Sequence, residues 1–299
     1  MIHPTSIIHK GAKIDKDVDI GPYSIIEEKV VLSKGVKVGA FCHIKGNTFV
    51  GEGTCIYSGC IIGEKPQVLG FKDNVGKLNI GSNNIIREYT TIHTSTSPQS
   101  STSIGNNNFF MAFSHIAHDC VVGNNVVICN GVLLAGHVKV EDGVFISGNS
   151  AVHQFTRIGR LSMIGGLSRV NQDVPPFMMV IGNSCVWGLN IVGLKRNGFS
   201  SKDINEIKKI FNILYREGLS LKTSLKKLEE MNSEFSKEVL LFIKESKRGI
   251  CGFKKSGLKE KLFLEYPLLL RQTLITYNIL KKVHLSFQRK LQSKQACII

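Results

Sequence analysis

Between Ser114 and Gly123 the chain reads SHIAHDCVVG, and two further histidines follow in LAGHV and AVHQF. His115, His118, Asp119, His137 and His153 are the groups whose types and spacing suit proton transfer. A neutral imidazole, ordinarily titrating near ~6.5, is the natural base at neutral pH. A carboxylate beside it fixes the tautomer and stabilises the cation formed when the ring takes a proton. Asp119 and His137 lie eighteen residues apart, and Gly136 stands in the same relation to His118. A residue without Cβ permits close approach to its backbone N–H, which suits a developing oxyanion. The set fits deprotonation of a hydroxyl or amine that attacks an acyl carbonyl, with general-base catalysis contributing ~10²–10⁴ in rate. A zinc site is disfavoured, because no C-x2-C or H-E-x-x-H spacing accompanies these ligands, so no metal or other cofactor is expected. Cys120 is a poor nucleophile candidate, since its register points it inward.

The elements that must position these groups follow from a six-residue repeat. Aliphatic residues recur at Ile2, Ile8, Ile14, Ile20, Ile26, Leu32, Val38, Ile44, Val50, Ile56 and Ile62. The series restarts at Ile80, Ile86 and Ile92, then runs from Ile104 through Phe110, Ile116 and Val122 to Val170. Four residues after each comes a small or β-branched residue, among them Ser24, Val30, Cys42, Thr48 and Cys60. A period of six matches neither a helix nor a simple alternating strand. It matches short strands joined by tight corners, three sides to a coil, with coils stacked at the ~4.8 Å strand spacing. Gly and Asn in stretches such as IGNNNF and VGNNVV suit corners that need positive φ. The expected fold is a triangular β-solenoid stabilised by neighbouring coils. The interruptions EKPQVLGFKDNVGK (64–77) and HTSTSPQSSTS (93–103) are expected as loops projecting from corners, where loops on a rigid scaffold commonly cover sites.

Beyond QDVPPFMMVIGN (172–183) the repeat stops. Ser200-x-x-Asp203 marks a helix start, and Ile204, Ile207, Phe211 and Leu214 form an apolar stripe ending before Gly218. Leu221, Leu225 and Leu228 make a second stripe, and Phe235, Val239 and Phe242 a third. The sequence thus divides into a solenoid over 1–190, a small helical domain over 191–252 and a basic amphipathic helical extension over 253–299. RGICGFKKSG reads as a linker, and residues 268–291 as a helix suited to packing or to peripheral membrane contact.

Of the formal net charge of +15, +4 falls in residues 1–199 and +11 in 200–299. A basic C-terminal part suits an acidic partner, a phosphorylated ligand or an anionic surface. Nucleic acid is not expected, as no recognition motif accompanies the charge. The eight cysteines form no CxxC pair, so they read as reduced packing residues. With no signal-peptide pattern and no run of ~18 apolar residues, a cytoplasmic location is expected.

HIAHDC, LAGHV, AVHQF, QDVPP and GLNIVGLKRNGFS together resemble the UDP-N-acetylglucosamine O-acyltransferases that begin lipid A synthesis, over residues 1 to about 250. The resemblance implies a left-handed parallel β-helix with a C-terminal helical domain, assembled as a homotrimer with active sites between subunits. It implies transfer of an (R)-3-hydroxyacyl chain from acyl carrier protein to the 3-position of a UDP-sugar. By the same resemblance His118 is the general base, Asp119 its orienting partner and Gly136 the oxyanion donor. His115, His137, His153, Gln154 and Gln67 would line the sugar-nucleotide and acyl cleft, Gly166 would leave room for a longer acyl chain, and Asn190 and Arg196 would lie near the nucleotide and acyl-carrier arm. The chain departs from the family pattern at Val68 and Gly70, where Asp and Lys are usual, and at Asn197, where a second arginine is usual. The acceptor is therefore UDP-N-acetylglucosamine or its 3-amino analogue. The sister N-acyltransferase acting on the 2-amine, and a non-catalytic scaffold, are the alternative readings.

Overall fold

The computed structural model describes residues 1–71 and 75–253, so the extension expected over 253–299 and the helix at 268–291 lie, but for Phe253, outside the described residues. Three sheets of nine, eight and eleven strands, parallel except for one reversal in the largest, run along the described chain. Most strands are two residues long, and each pairs with the strand one coil on, as Ile7 with Ile25 and Ile8 with Ile26. The repeat dictates this directly. Its aliphatic position and its small position both face inward, so Ile26, Leu32, Ile44, Val50, Ile62, Ile116 and Leu134 are fully buried, with Ser24, Val30, Cys42 and Cys60 beside them. Burying each Ile or Leu contributes roughly 1.5–3 kcal/mol, repeated at every coil. Ile2, at 47% exposed, belongs to the open first coil.

Most corners place one residue in the left-handed region, including Asn83, Asn107 and Asn125 on one edge and Asp119, His137 and Phe155 on another. Both interruptions leave from this second edge. The first runs from the strand Ile61–Glu64 to Lys77–Ile80, and the second from Thr91–His93 to Ser101–Ile104. The pairing absorbs them with the aliphatic positions still aligned, Ile62 with Ile92 and Ile92 with Ile116, and the one register shift falls between Ile62 and Glu64, where the first loop leaves. The two loops therefore stack directly before the corner that carries His118 and Asp119.

The sheet does not stop where the repeat does. Met178–Ile181 continues the largest sheet, and Cys185–Leu189 reverses direction against it. Four helices follow among the described residues: α1 (Ile191–Arg196), α2 (Ser201–Tyr215), α3 (Leu221–Met231) and α4 (Glu234–Lys244). A capping box between Ser200 and Asp203 opens α2. Ile204, Ile207, Ile210, Leu228, Val239 and Phe242 bury together with Leu161 and Phe177 of the solenoid. Arg160 clamps Glu238 through two hydrogen bonds of 2.9 and 2.8 Å. Within the stretch read as a linker, Cys251 is buried and Gly252–Phe253 adds a parallel strand beside Cys185–Val186. A two-residue strand outside the repeat has no periodic signal, and its partner is fixed only by tertiary packing.

Candidate active site

Asp119 sits at the left-handed corner position, with φ of 59°. Its backbone N–H donates to Thr102 Oγ1 at 2.8 Å. The Oδ2 atom accepts from Thr96 N at 3.1 Å and Thr96 Oγ1 at 2.8 Å, and Oδ1 accepts from Ser100 Oγ at 2.9 Å. His118 Nδ1 lies 2.9 Å from the same Oδ2. Burial pushes the Asp119 carboxyl up, but the hydrogen bonds from His118, Thr96 and Ser100 outweigh it and hold the group below the usual carboxylate range. An ionised carboxylate only accepts, so Nδ1 must carry the proton. The lone pair of His118 is then on Nε2.

That ring lies against Gly136. A Cβ built on Gly136 would stand 2.6 Å from His118 Nε2, so glycine is required here by the approach of the imidazole. Gly136 is buried, and among the described residues its N–H has no hydrogen-bond acceptor. His137 follows at φ of 60°, with Nε2 at 3.8 Å from Asp119 Oδ2 and its ring edge-on to His118 at 5.2 Å. Phe155 stacks on its other side at 4.5 Å. Burial lowers the His137 imidazole; Asp119 opposes that and His118 adds to it. His115 bonds Thr91 Oγ1 through Nδ1 at 2.7 Å, and it is lowered by burial and then by His118.

The sequence did not single out His93. It is 3% exposed, its ring meets His115 edge-on at 4.8 Å, and Nδ1 is buried without a partner. Burial, with His115 next, lowers it to about 4, so it is neutral. Its signal in the sequence was position, since it ends the strand that pairs with His115-Ile116, but the second insertion breaks the eighteen-residue count that would have aligned it.

The other expected residues are placed as follows. His153 and Gln154 are exposed one coil further along the same edge, with His153 Nδ1 3.2 Å from Gln154 O. Gln67 is exposed on the first loop. Gly166 belongs to a different edge of the prism, where an added Cβ would meet only Gly148 O and Ser147 Oγ, each at 3.5 Å. Asn190 is buried and serves as the N-cap of α1, accepting from Gly193 N and donating to Leu161 O. Arg196 ends the same helix. His118, Asp119 and His137 bring ligand atoms within 4.8 Å of one another. Thr96 and His118 already occupy the Asp119 oxygen nearest both rings, which leaves it poorly placed to ligate a metal.

A stacked hexapeptide solenoid with a histidine–carboxylate pair and an unused N–H at one corner defines a hexapeptide-repeat acyltransferase. Residues 101–136 match the model of the bacterial transferase hexapeptide, and residues 173–251 match that of domain 2 of UDP N-acetylglucosamine O-acyltransferase. An acyl-[acyl-carrier-protein]–UDP-N-acetylglucosamine O-acyltransferase from Burkholderia orbicola is 48% identical over 257 residues, covering 83% of this chain and 98% of that protein. The protein of that name from Thermodesulfovibrio yellowstonii is 47% identical over 84% of this chain and 98% of its own length. The crystal structure of Francisella novicida UDP-N-acetylglucosamine acyltransferase superposes with a TM-score of 0.83 at 36% identity, over 88% of this chain and 98% of that one. The chain is a left-handed parallel β-helix with a C-terminal helical part, and it belongs to the acyl-[acyl-carrier-protein]–UDP-N-acetylglucosamine O-acyltransferase family.

Proposed function

We propose that this chain moves an (R)-3-hydroxyacyl group from the thioester of acyl carrier protein to the 3-position of UDP-N-acetylglucosamine, as the opening step of lipid A biosynthesis. The observation that carries the reading is the His118–Asp119 pair, with the proton on Nδ1 and Nε2 left as the base beside the unused Gly136 N–H. Nε2 takes the proton of the sugar 3-hydroxyl as its oxygen attacks the thioester carbonyl. The Gly136 N–H receives the developing oxyanion. Asp119 stabilises the imidazolium, which then returns its proton to the departing thiolate as the C–S bond breaks. His115, His137, His153, Gln154 and Gln67 line the cleft in this reading, and Asn190 and Arg196 stand by the nucleotide and acyl-carrier arm.

Two features support a homotrimer with the cleft between subunits. Gly166 and His118 lie on different edges of one prism, so a single acyl groove joining them needs a second copy. The Gly166 edge also exposes Tyr23, Phe41, Tyr89 and Phe113 as stacked pairs, with ring centroids 5.3 and 5.2 Å apart. Sedimentation of the purified protein tests this, and a monomer with full activity would remove it. No described helix is long and apolar enough to cross a membrane, and a cytoplasmic location goes with the proposed substrates. The basic C-terminal part suits an acidic carrier protein.

A 3-amino acceptor is the second reading, favoured by the uncharged tip of the first loop. Val68 is 41% exposed, and Gly70, at φ of 71°, has nothing within 4 Å of where a Cβ would be. The deciding experiment offers 3-hydroxyacyl carrier protein with UDP-N-acetylglucosamine or its 3-amino analogue and weighs the product. An ester from the first acceptor supports the main reading, and an amide formed only from the second supports the alternative. No product from either, or full activity in His118→Ala, overturns both.

A further inference from the structure

We infer that Thr96 and Ser100, on the second inserted loop, are positioning residues for the proton transfer, holding Asp119 in the one orientation that keeps a proton on His118 Nδ1. The inference rests on the reading of His118 as the base. Asp119 has two imidazoles within reach of a single oxygen, His118 at 2.9 Å and His137 at 3.8 Å. A carboxylate free to turn about its Cβ–Cγ bond has no reason to serve the first over the second. Three donors from the loop remove that freedom: Thr96 N and Oγ1 on Oδ2, and Ser100 Oγ on Oδ1. Ser100 has one proton to give, with Asp119 Oδ1 at 2.9 Å, Ser95 Oγ at 3.0 Å and Ser97 O at 3.1 Å all in range. The charged acceptor forms the stronger bond and takes it.

The loop is rigid enough for this role because it is tied to its neighbour. Thr94 N–H donates to Glu64 O at 2.9 Å, and Gly76 N–H donates to Ser95 O at 3.0 Å. A Cβ on Gly76 would collide with Ser95 Oγ and Ser97 O, so the end of the first loop is pressed onto the second. The groups facing Asp119 are the two imidazoles, the neutral hydroxyls of Thr96, Ser100 and Thr102, and the buried Cys120 thiol, which burial pushes up to about 12. After the hydrogen bond from His118, those from Thr96 and Ser100 are what favours the ionised carboxylate.

The test uses full-length protein with acyl carrier protein thioester and UDP-sugar. In Thr96→Val/Ser100→Ala, kcat is expected to fall about tenfold or more, with KM for both substrates within about twofold. The acid limb of the kcat profile moves to higher pH, because a carboxyl that has lost two donors protonates sooner. Thr96→Ser restores the hydroxyl and the rate. In an Asp119→Ala background the same double substitution costs nothing further. Should the double variant fail to fold, Ser100→Ala alone carries the test through the same kcat, KM and pH readouts. Unchanged kcat in a protein that His118→Ala inactivates overturns this inference alone, as does a rise in KM at constant kcat. Full activity in His118→Ala overturns the reading beneath it.

Discussion

At the edge carrying Asn83, Asn107 and Asn125, the corner N–H of Ser82 donates to Asn106 Oδ1 at 2.7 Å, that of Asn106 to Asn124 Oδ1 at 2.8 Å, and that of Asn124 to Asp142 Oδ1 at 2.7 Å. At the edge carrying Asp119 and His137 the backbone turns in the same way, yet among the described residues Gly136 N–H has no acceptor, and the Asp119 side chain bonds to a loop instead. The first edge ties these corner N–H groups up within the solenoid. The second leaves a base and a donor available to something outside it. Left-handed φ costs a non-glycine residue roughly 1–2 kcal/mol; Asn bears it most easily, whereas Asp119 and His137 are kept there for what their side chains reach.

Substitutions at the two edges are expected to separate activity from stability. His118→Ala removes the base and should lower kcat about a thousandfold, with an unfolding midpoint close to that of the unaltered protein. Asn84→Ala, at the other edge, strips buried partners from Gly81 O, Gly105 O and Asn108 N. It should lose about 3 kcal/mol of stability while the folded fraction keeps its kcat. Equal effects of the two substitutions on kcat would erase the distinction. Gly136→Ala is the next largest effect. The added methyl displaces the His118 ring, and kcat should drop about thirtyfold with little change in KM. A crystal structure of the variant would show the ring moved; an unmoved ring with full activity contradicts the assignment.

The solenoid was legible because a six-residue period repeats one physical requirement at every turn, and Ile26, Ile62 and Ile116 meet it identically. His118, Asp119 and Gly136 were legible as a group because the same period converts spacing into proximity. What the sequence did not reveal arises where the period fails. His93 and Ser100 are near the site only because two insertions leave from one corner. Asn190 caps a six-residue helix that no periodicity announces. The strand Gly252–Phe253 depends wholly on tertiary contacts.

His93 gives the catalytic edge a pH dependence of its own. Its imidazole titrates at about 4 in the folded chain, against ~6.5 when unfolded. The unfolded chain therefore gains a proton first as pH falls, so the stability contributed by neutral His93 is present above pH ~6.5 and lost below it. Between pH 7.5 and 5 the loss should reach about 2 kcal/mol. Denaturant unfolding at several pH values measures it. His93→Phe should flatten that slope, and an unchanged slope in the variant would mean another group is responsible.

The smallest effect tests whether strain at the catalytic edge is tied to function or is general to it. Lys29 occupies the same edge at φ of 67°, near the open end, and is exposed. Among the described residues no hydrogen bond or ion pair of its side chain accounts for a lysine there. Asn tolerates this backbone better, as the opposite edge shows at Asn83, Asn107 and Asn125. Lys29→Asn should therefore raise stability by about 0.5 kcal/mol with kcat unchanged. His137→Asn relieves the same strain but gives up the stack on Phe155 and the approach to Asp119, so kcat should fall. If both substitutions left kcat alone, the left-handed corner would be a uniform cost of the fold and His137 no exception to it. A gain at Lys29 with a loss of rate at His137 instead confines the functional strain to the corners the two loops cover.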